Sequence, residues 1–124
     1  MIGALIPSLT NSVFAEVLSG IYDGLDDSPY IIQFANTRYS TLQEEKLLRL
    51  FRAQKPAGLI VTGINQTAEA RAVLESMACP VVQIMETGPD PVDMMVGFSH
   101  YDAAFAAISH LLAQGRRRIG FIFQ

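Results

Sequence analysis

The chain has 124 residues, half of them apolar and 17% charged, with nine Lys and Arg against twelve Asp and Glu for a net charge of −3. Such a composition belongs to one globular domain and excludes a disordered or fibrous chain. The acidic balance excludes nucleic-acid binding by these residues alone, since affinity for a phosphate backbone comes from clustered Lys and Arg.

The first apolar run, Met1 to Ile6, is stopped by Pro7. It lacks a basic lead-in and is too short for a signal peptide or a membrane span, so a cytoplasmic protein is expected. The polar stretch Ser8 to Ser12 follows, and an amphipathic pattern restarts at Val13 and Phe14. Phe14, Val17, Leu18, Ile21 and Leu25 fall on one helical face, with Asn11 or Ser12 as the N-cap. Tyr30 to Ala35 reads as a second buried strand and Asn36 to Ser40 as its loop. Thr41 with Glu44 predicts a capping box for a helix whose stripe is Leu47, Leu48 and Phe51, with Glu45 and Arg49 paired across a turn.

Pro56 stops that helix, and the cycle repeats. Gly58 to Thr62 is a strand, Gly63 to Gln66 a loop, and Thr67 caps a helix burying Ala70, Val73, Leu74 and Met77. Pro80 to Met85 is a fourth strand and Met94 to Phe98 a shorter fifth. Ser99 to Asp102 leads into an alanine-rich helix with Ala104, Ala107, Ile108, Leu111 and Leu112 inside, closed by Gly115 at a left-handed cap. Ile119 to Gln124 reads as a last, strongly apolar strand. The alternation predicts an α/β fold: a doubly wound, mostly parallel sheet with the first strand near its centre.

The chemistry is defined partly by what is missing. There is no Gly-x-Gly after a strand, no phosphate loop ending in Gly-Lys, and no cysteine pair at metal spacing. His100 and His110 sit at opposite ends of the last helix, so neither a metal centre nor a Ser-His-Asp triad is expected, and no cofactor or enzymatic activity is called for. Cys79, the single cysteine, forms no internal disulfide and reads as a small buried apolar residue in a reducing compartment. Arg116 to Arg118 follows a helix C-terminus, where cations complement the macrodipole.

Polar and aromatic residues cluster instead at the strand ends. They are Asn11, Ser12 and Phe14 after the first, Asn36 and Tyr39 after the second, Thr62 and Asn65 after the third, Glu86 after the fourth, and Ser99, His100 and Asp102 after the fifth. Amide, hydroxyl, carboxylate and ring groups along one sheet edge suit a sugar-type ligand, bound by hydrogen bonds to hydroxyls and by an aromatic face over the carbons. Asn11, Ser12 and Ser99 are equally suited to cap helices, Phe14 to fill the core, and Asp102 to complement a helix N-terminus.

In order and spacing, several short segments resemble the effector-binding region of LacI/GalR-type bacterial transcription repressors. They are Ile6-Pro7 with Asn11 and Phe14, Ala35-Asn36-Thr37, Pro56-Ala57-Gly58-Leu59-Ile60, Pro80-Val81-Val82, and Leu111-Leu112 with Gly115 and Arg117-Arg118-Ile119-Gly120-Phe121. The resemblance implies a periplasmic-binding-protein-like type I fold of two lobes and a homodimer. It implies DNA binding only through a helix-turn-helix that this chain does not contain. Residues 1–118 are then the N-terminal lobe and 119–124 the first strand of a C-terminal lobe. Ser8-Leu9, Asn11, Val13-Phe14, Glu86 and Gly97-Phe98-Ser99-His100 are most similar to the gluconate-repressor subgroup. The resemblance therefore implies a sugar or sugar-acid effector, with Asn11, Ser12, Phe14, Tyr39, Thr62, Glu86, His100 and Asp102 as its contacts. A solute-binding module of a sugar transport system and a small flavodoxin-like enzyme are the alternatives.

Overall fold

The computed structural model describes residues 1–122. Five strands, β1 (Ile2–Ile6), β2 (Ile32–Asn36), β3 (Gly58–Thr62), β4 (Val81–Ile84) and β5 (Met94–Val96), form one sheet in the order β2-β1-β3-β4-β5. Every pairing is parallel. Four helices intervene: α1 (Ser12–Gly24), α2 (Thr41–Gln54), α3 (Ala68–Glu75) and α4 (His100–Ala113). The chain steps outward from β1 to β2 and then returns past β1 to β3, so the topological switch point lies between β1 and β3.

Alternate residues of a strand face opposite sides, and the two sides of this sheet differ in packing. On one, Leu5, Leu59, Val61 and Val81 meet Leu48 and Phe51 of α2 and Ala70, Val73 and Leu74 of α3 in a single buried cluster. Each such Leu or Phe taken out of water contributes roughly 1.5–3 kcal/mol. Gly3 brings α2 close: a Cβ there would lie 2.6 Å from the Phe51 ring. The other side holds Ala4 and Ile6, with Phe14 the single buried residue of α1 and a Tyr22–Phe34 ring contact at 5.5 Å. There, an apolar groove of about 330 Å³ runs between Val17 and Ile21 of α1 and Ile60, Ile84, Val96 and Phe98.

The expected buried face of α4 is not buried. No residue of that helix is, and Ile108 and Leu112 are 39% and 57% exposed, with Ala104 and Ala107 exposed and Leu111 half-buried. Helical periodicity tells which side a helix would turn to a neighbour; it carries no information on whether a neighbour covers it. The caps of α2 also differ from expectation. Ser40 is its N-cap, with Oγ accepting from the Gln43 N–H at 3.1 Å. Thr41 is therefore the first helical residue rather than the cap, and Glu44 sits one residue too far along to form a box with Ser40. The α3 cap at Thr67 and the left-handed Gly115 (φ 79°) are as expected.

The second strand starts at Ile32 rather than Tyr30, because its ladder with β1 begins at the Ile2–Ile32 pair; Tyr30 and Ile31 before it are exposed. Residues 119–122 form no strand. An apolar composition suits a segment to a sheet, but a strand exists only where a ladder forms. Phe123 and Gln124, the end of that expected strand, lie outside the described residues. No helix among the described residues is long and apolar enough to cross a membrane.

Candidate functional site

In open α/β sheets ligands bind beyond the carboxyl ends of the strands at the switch point. A cleft of about 360 Å³ occupies that position here. Leu5 and Pro7 at the end of β1 form its floor with Phe14 of α1. Thr62, Gly63, Asn65 and Gln66 after β3 form one side, and Thr37, Tyr39, Ser40, Thr41 and Glu44 around the start of α2 the other.

Each wall is held by hydrogen bonds. Thr37 donates its N–H to the Ile6 carbonyl at 2.8 Å, continuing the β1–β2 ladder, and its carbonyl accepts the Ser40 N–H at 3.0 Å. Between them Arg38 and Tyr39 adopt left-handed φ of 55° and 60°. Such backbone costs about 1 kcal/mol or more per residue and marks a turn held by its surroundings. Asn36 supplies part of the hold, with Oδ1 accepting the Arg38 N–H at 2.9 Å. Tyr39 is thereby set at the cleft mouth, largely exposed.

On the other wall Thr62 Oγ1 donates to the Leu5 carbonyl at 3.0 Å. Gln66 Nε2 donates to the Thr62 and Gly63 carbonyls at 3.3 and 3.0 Å. Behind it stands Gln83, fully buried in β4. Its Nε2 donates to Gln66 Oε1 at 3.0 Å, and its Oε1 accepts the Val92 N–H at 2.9 Å. A buried amide is stable only when so satisfied, and this one ties the cleft wall to the loop between β4 and β5.

Among the described residues Glu44 is the only acidic group lining the cleft, and no Lys, Arg or His lines it. Burial, and then the neighbouring Glu45, push its carboxyl above the ordinary range. Glu45 itself accepts a hydrogen bond from Thr67 Oγ1 at 2.6 Å and lies 4.0 Å from Arg49, the expected pair.

The predicted site residues divide. Phe14, Tyr39 and Thr62 line the cleft together with Asn65. Asn11 and Ser12 do not; Asn11 Oδ1 accepts the Val13 N–H at 3.0 Å as the cap of α1, and Ser12 is exposed at its first turn. Glu86 and His100 meet away from the cleft lining. Glu86 Oε1 accepts the N–H groups of Thr87 and His100 at 3.0 and 3.1 Å, and Oε2 lies 2.6 Å from His100 Nδ1, which donates because a carboxylate can only accept. The Thr87 N–H above all, with His100 behind it, holds the Glu86 carboxyl below the usual range. The Phe98 ring lies 4.5 Å from that of His100, and a Cβ on Gly97 would come within 2.6 Å of the Glu86 nitrogen. Asp102 is exposed in the first turn of α4, its N–H bonded to Ser99 Oγ at 3.0 Å.

Sequence reasoning missed Thr37, Glu44, Gln66 and Gln83. Gln83 carried a signal: an amide inside the apolar run Val81-Val82-Gln83-Ile84, two residues from buried Val81 and so on the same face. Among the described residues no group of three or more His, Cys, Asp or Glu is placed to hold a metal ion.

A parallel α/β lobe with a hydroxyl- and amide-lined cleft at its switch point is a small-molecule-binding module. The chain belongs to the family of periplasmic binding proteins and sugar binding domains of the LacI family, whose model matches residues 1–124. It is 38% identical over 121 residues to the HTH-type transcriptional regulator GntR of Pseudomonas aeruginosa, covering 98% of this chain and 35% of that protein. A LacI-family transcriptional regulator from Silicibacter pomeroyi superposes with a TM-score of 0.92 at 41% identity, over 97% of this chain and 36% of that one. A LacI family transcriptional regulator from Lactobacillus casei with bound glucose superposes with a TM-score of 0.79 at 26% identity, over 94% of this chain and 43% of that one. The chain thus spans about a third of the length of the curated relative.

Proposed function

We propose that this chain is the N-terminal lobe of the effector-binding region of a cytoplasmic bacterial transcriptional repressor, residues 1–118, with 119–124 leading into a second lobe. Its effector is a sugar or sugar acid, gluconate first. The protein acts as a homodimer, does no catalysis, and reaches DNA through a helix-turn-helix outside these residues. The observation that carries the reading is the cleft at the switch point, whose hydroxyl, amide and ring groups match a polyol. The likeness to GntR regulators and to a glucose-bound family member supports it.

Effector binding would shift an open–closed equilibrium between lobes and so reposition the DNA-binding heads. This lobe would enclose an effector from one side only, the second lobe closing over the cleft from the other. Gluconate should therefore stabilise the full-length protein by several degrees in a thermal melt and leave the 124-residue chain almost unmoved, by mass action. Strong stabilisation of the short chain, or none of the long one by any sugar or sugar acid, sinks the proposal.

A further inference from the structure

On the β3 side of the cleft the side-chain donors of Thr62 and Gln66 are spent within the protein. Thr62 Oγ1 spends its hydrogen on the Leu5 carbonyl, and both amide hydrogens of Gln66 go to the Thr62 and Gly63 carbonyls. What Thr62 can turn to a ligand is a lone pair. Opposite lies the carboxyl of Glu44, half-buried, lining the cleft, and engaged by no hydrogen bond or ion pair among the described residues. Among the described residues no cation lines the cleft to balance it.

We infer that Glu44 is the specificity-determining residue of the cleft: it accepts hydrogen bonds from the hydroxyl-bearing end of the effector and excludes a carboxylate from that end. The inference rests on the sugar or sugar-acid reading above and adds an orientation to it. A hydroxyl donates, and so satisfies an unpaired carboxylate. A second carboxylate only accepts, and would leave two like charges facing each other in a half-desolvated cleft. An acid effector must therefore enter with its polyol end toward α2 and its carboxylate away from Glu44.

Two ligand pairs isolate that end, because each differs by one terminal change from hydroxymethyl to carboxylate: gluconate with glucarate, and glucose with glucuronate. Affinities are measured by calorimetry on the full-length protein, wild type and Glu44→Gln. Wild type should bind the hydroxymethyl member of a pair at least about tenfold more tightly, the scale of one charge-assisted hydrogen bond. Glu44→Gln should bring the ratio to within about threefold, largely by admitting the carboxylate-ended ligand. The neutral amide keeps the shape and removes repulsion from Glu45, so folding should survive; Glu44→Ala, read by the same ratio, is the second variant. Equal ratios in wild type and variants, or a wild type indifferent to the terminal carboxylate, overturn the inference alone. Binding of none of the four ligands by wild type overturns the sugar reading and the inference with it.

Discussion

Replacing Gln83 by Leu tests whether the buried amide holds the cleft wall. The substitution keeps the volume and removes three contacts: to Gln66 Oε1 at 3.0 Å, to the Gly63 carbonyl at 3.4 Å, and from the Val92 N–H at 2.9 Å. The Gly63 carbonyl keeps its bond from Gln66, so two groups lose their partner, Gln66 Oε1 and the Val92 N–H. A buried orphan costs about 1–3 kcal/mol. Both residues are half-buried, so water reaches them and the lower end applies. The leucine recovers up to about 1 kcal/mol through better burial, leaving a net loss of about 1–2 kcal/mol. In a domain of this size that lowers Tm by about 4–8 °C, readable by circular dichroism.

The Gln83→Glu variant separates shape from hydrogen bonding. It keeps an acceptor for Val92 but points a carboxylate at the Gly63 carbonyl and Gln66 Oε1, neither of which donates. Its loss at neutral pH should be larger. The new carboxyl would have a raised folded-state pKa, so the loss should shrink in acid, where protonation restores a donor, and reappear as pH rises through that pKa. A leucine variant as stable as wild type, or a glutamate variant with no acid recovery, refutes the role assigned to Gln83.

Gly97→Ala places a Cβ within 2.6 Å of the Glu86 nitrogen and 2.9 Å of its carbonyl oxygen, both backbone atoms that cannot swing aside; the Glu86–His100 bond should break and amide exchange at the start of α4 should accelerate, whereas unchanged protection would contradict the close approach. Glu86 is held below its ordinary value of 4.5, so its contribution is present at neutral pH and lost as pH falls through the folded-state pKa. Glu86→Gln should flatten that acid limb of the stability curve, and an unaltered limb would show the bonds are not formed in solution. Asn11→Ala removes the α1 cap and should cost about 1 kcal/mol while leaving effector affinity unchanged in the full-length protein. A selective loss of affinity would instead return Asn11 to the binding site.

Much of this lobe is written in local pattern. Apolar runs interrupted by Pro7, Pro56 and Pro80, helical spacing at Leu47, Leu48 and Phe51, and caps at Asn11, Thr67 and Ser99 mark the α/β alternation, because strand burial, helix amphipathicity and capping act over a few residues. With alternation comes a parallel sheet, and with a parallel sheet a ligand edge. The cleft residues Phe14, Tyr39, Thr62 and Asn65 were legible for that reason, lying just past strand ends.

Local pattern could not say which strand ends converge. Thr62 reaches the β1 carbonyl 57 residues away, and Gln83 meets Gln66 across 17; those meetings depend on strand order and register. The same order gathers Phe14, Tyr39 and Thr62 at the switch point and leaves Glu86 and His100 to pair outside the cleft. Glu44 shows the limit most plainly. A cap displaced by one residue, from Thr41 to Ser40, turns an expected capping partner into a carboxyl facing the cleft. Composition and spacing specify the elements, since those forces are short-ranged; the tertiary fold decides which polar groups share a solvent-poor space, and that sharing makes a binding site.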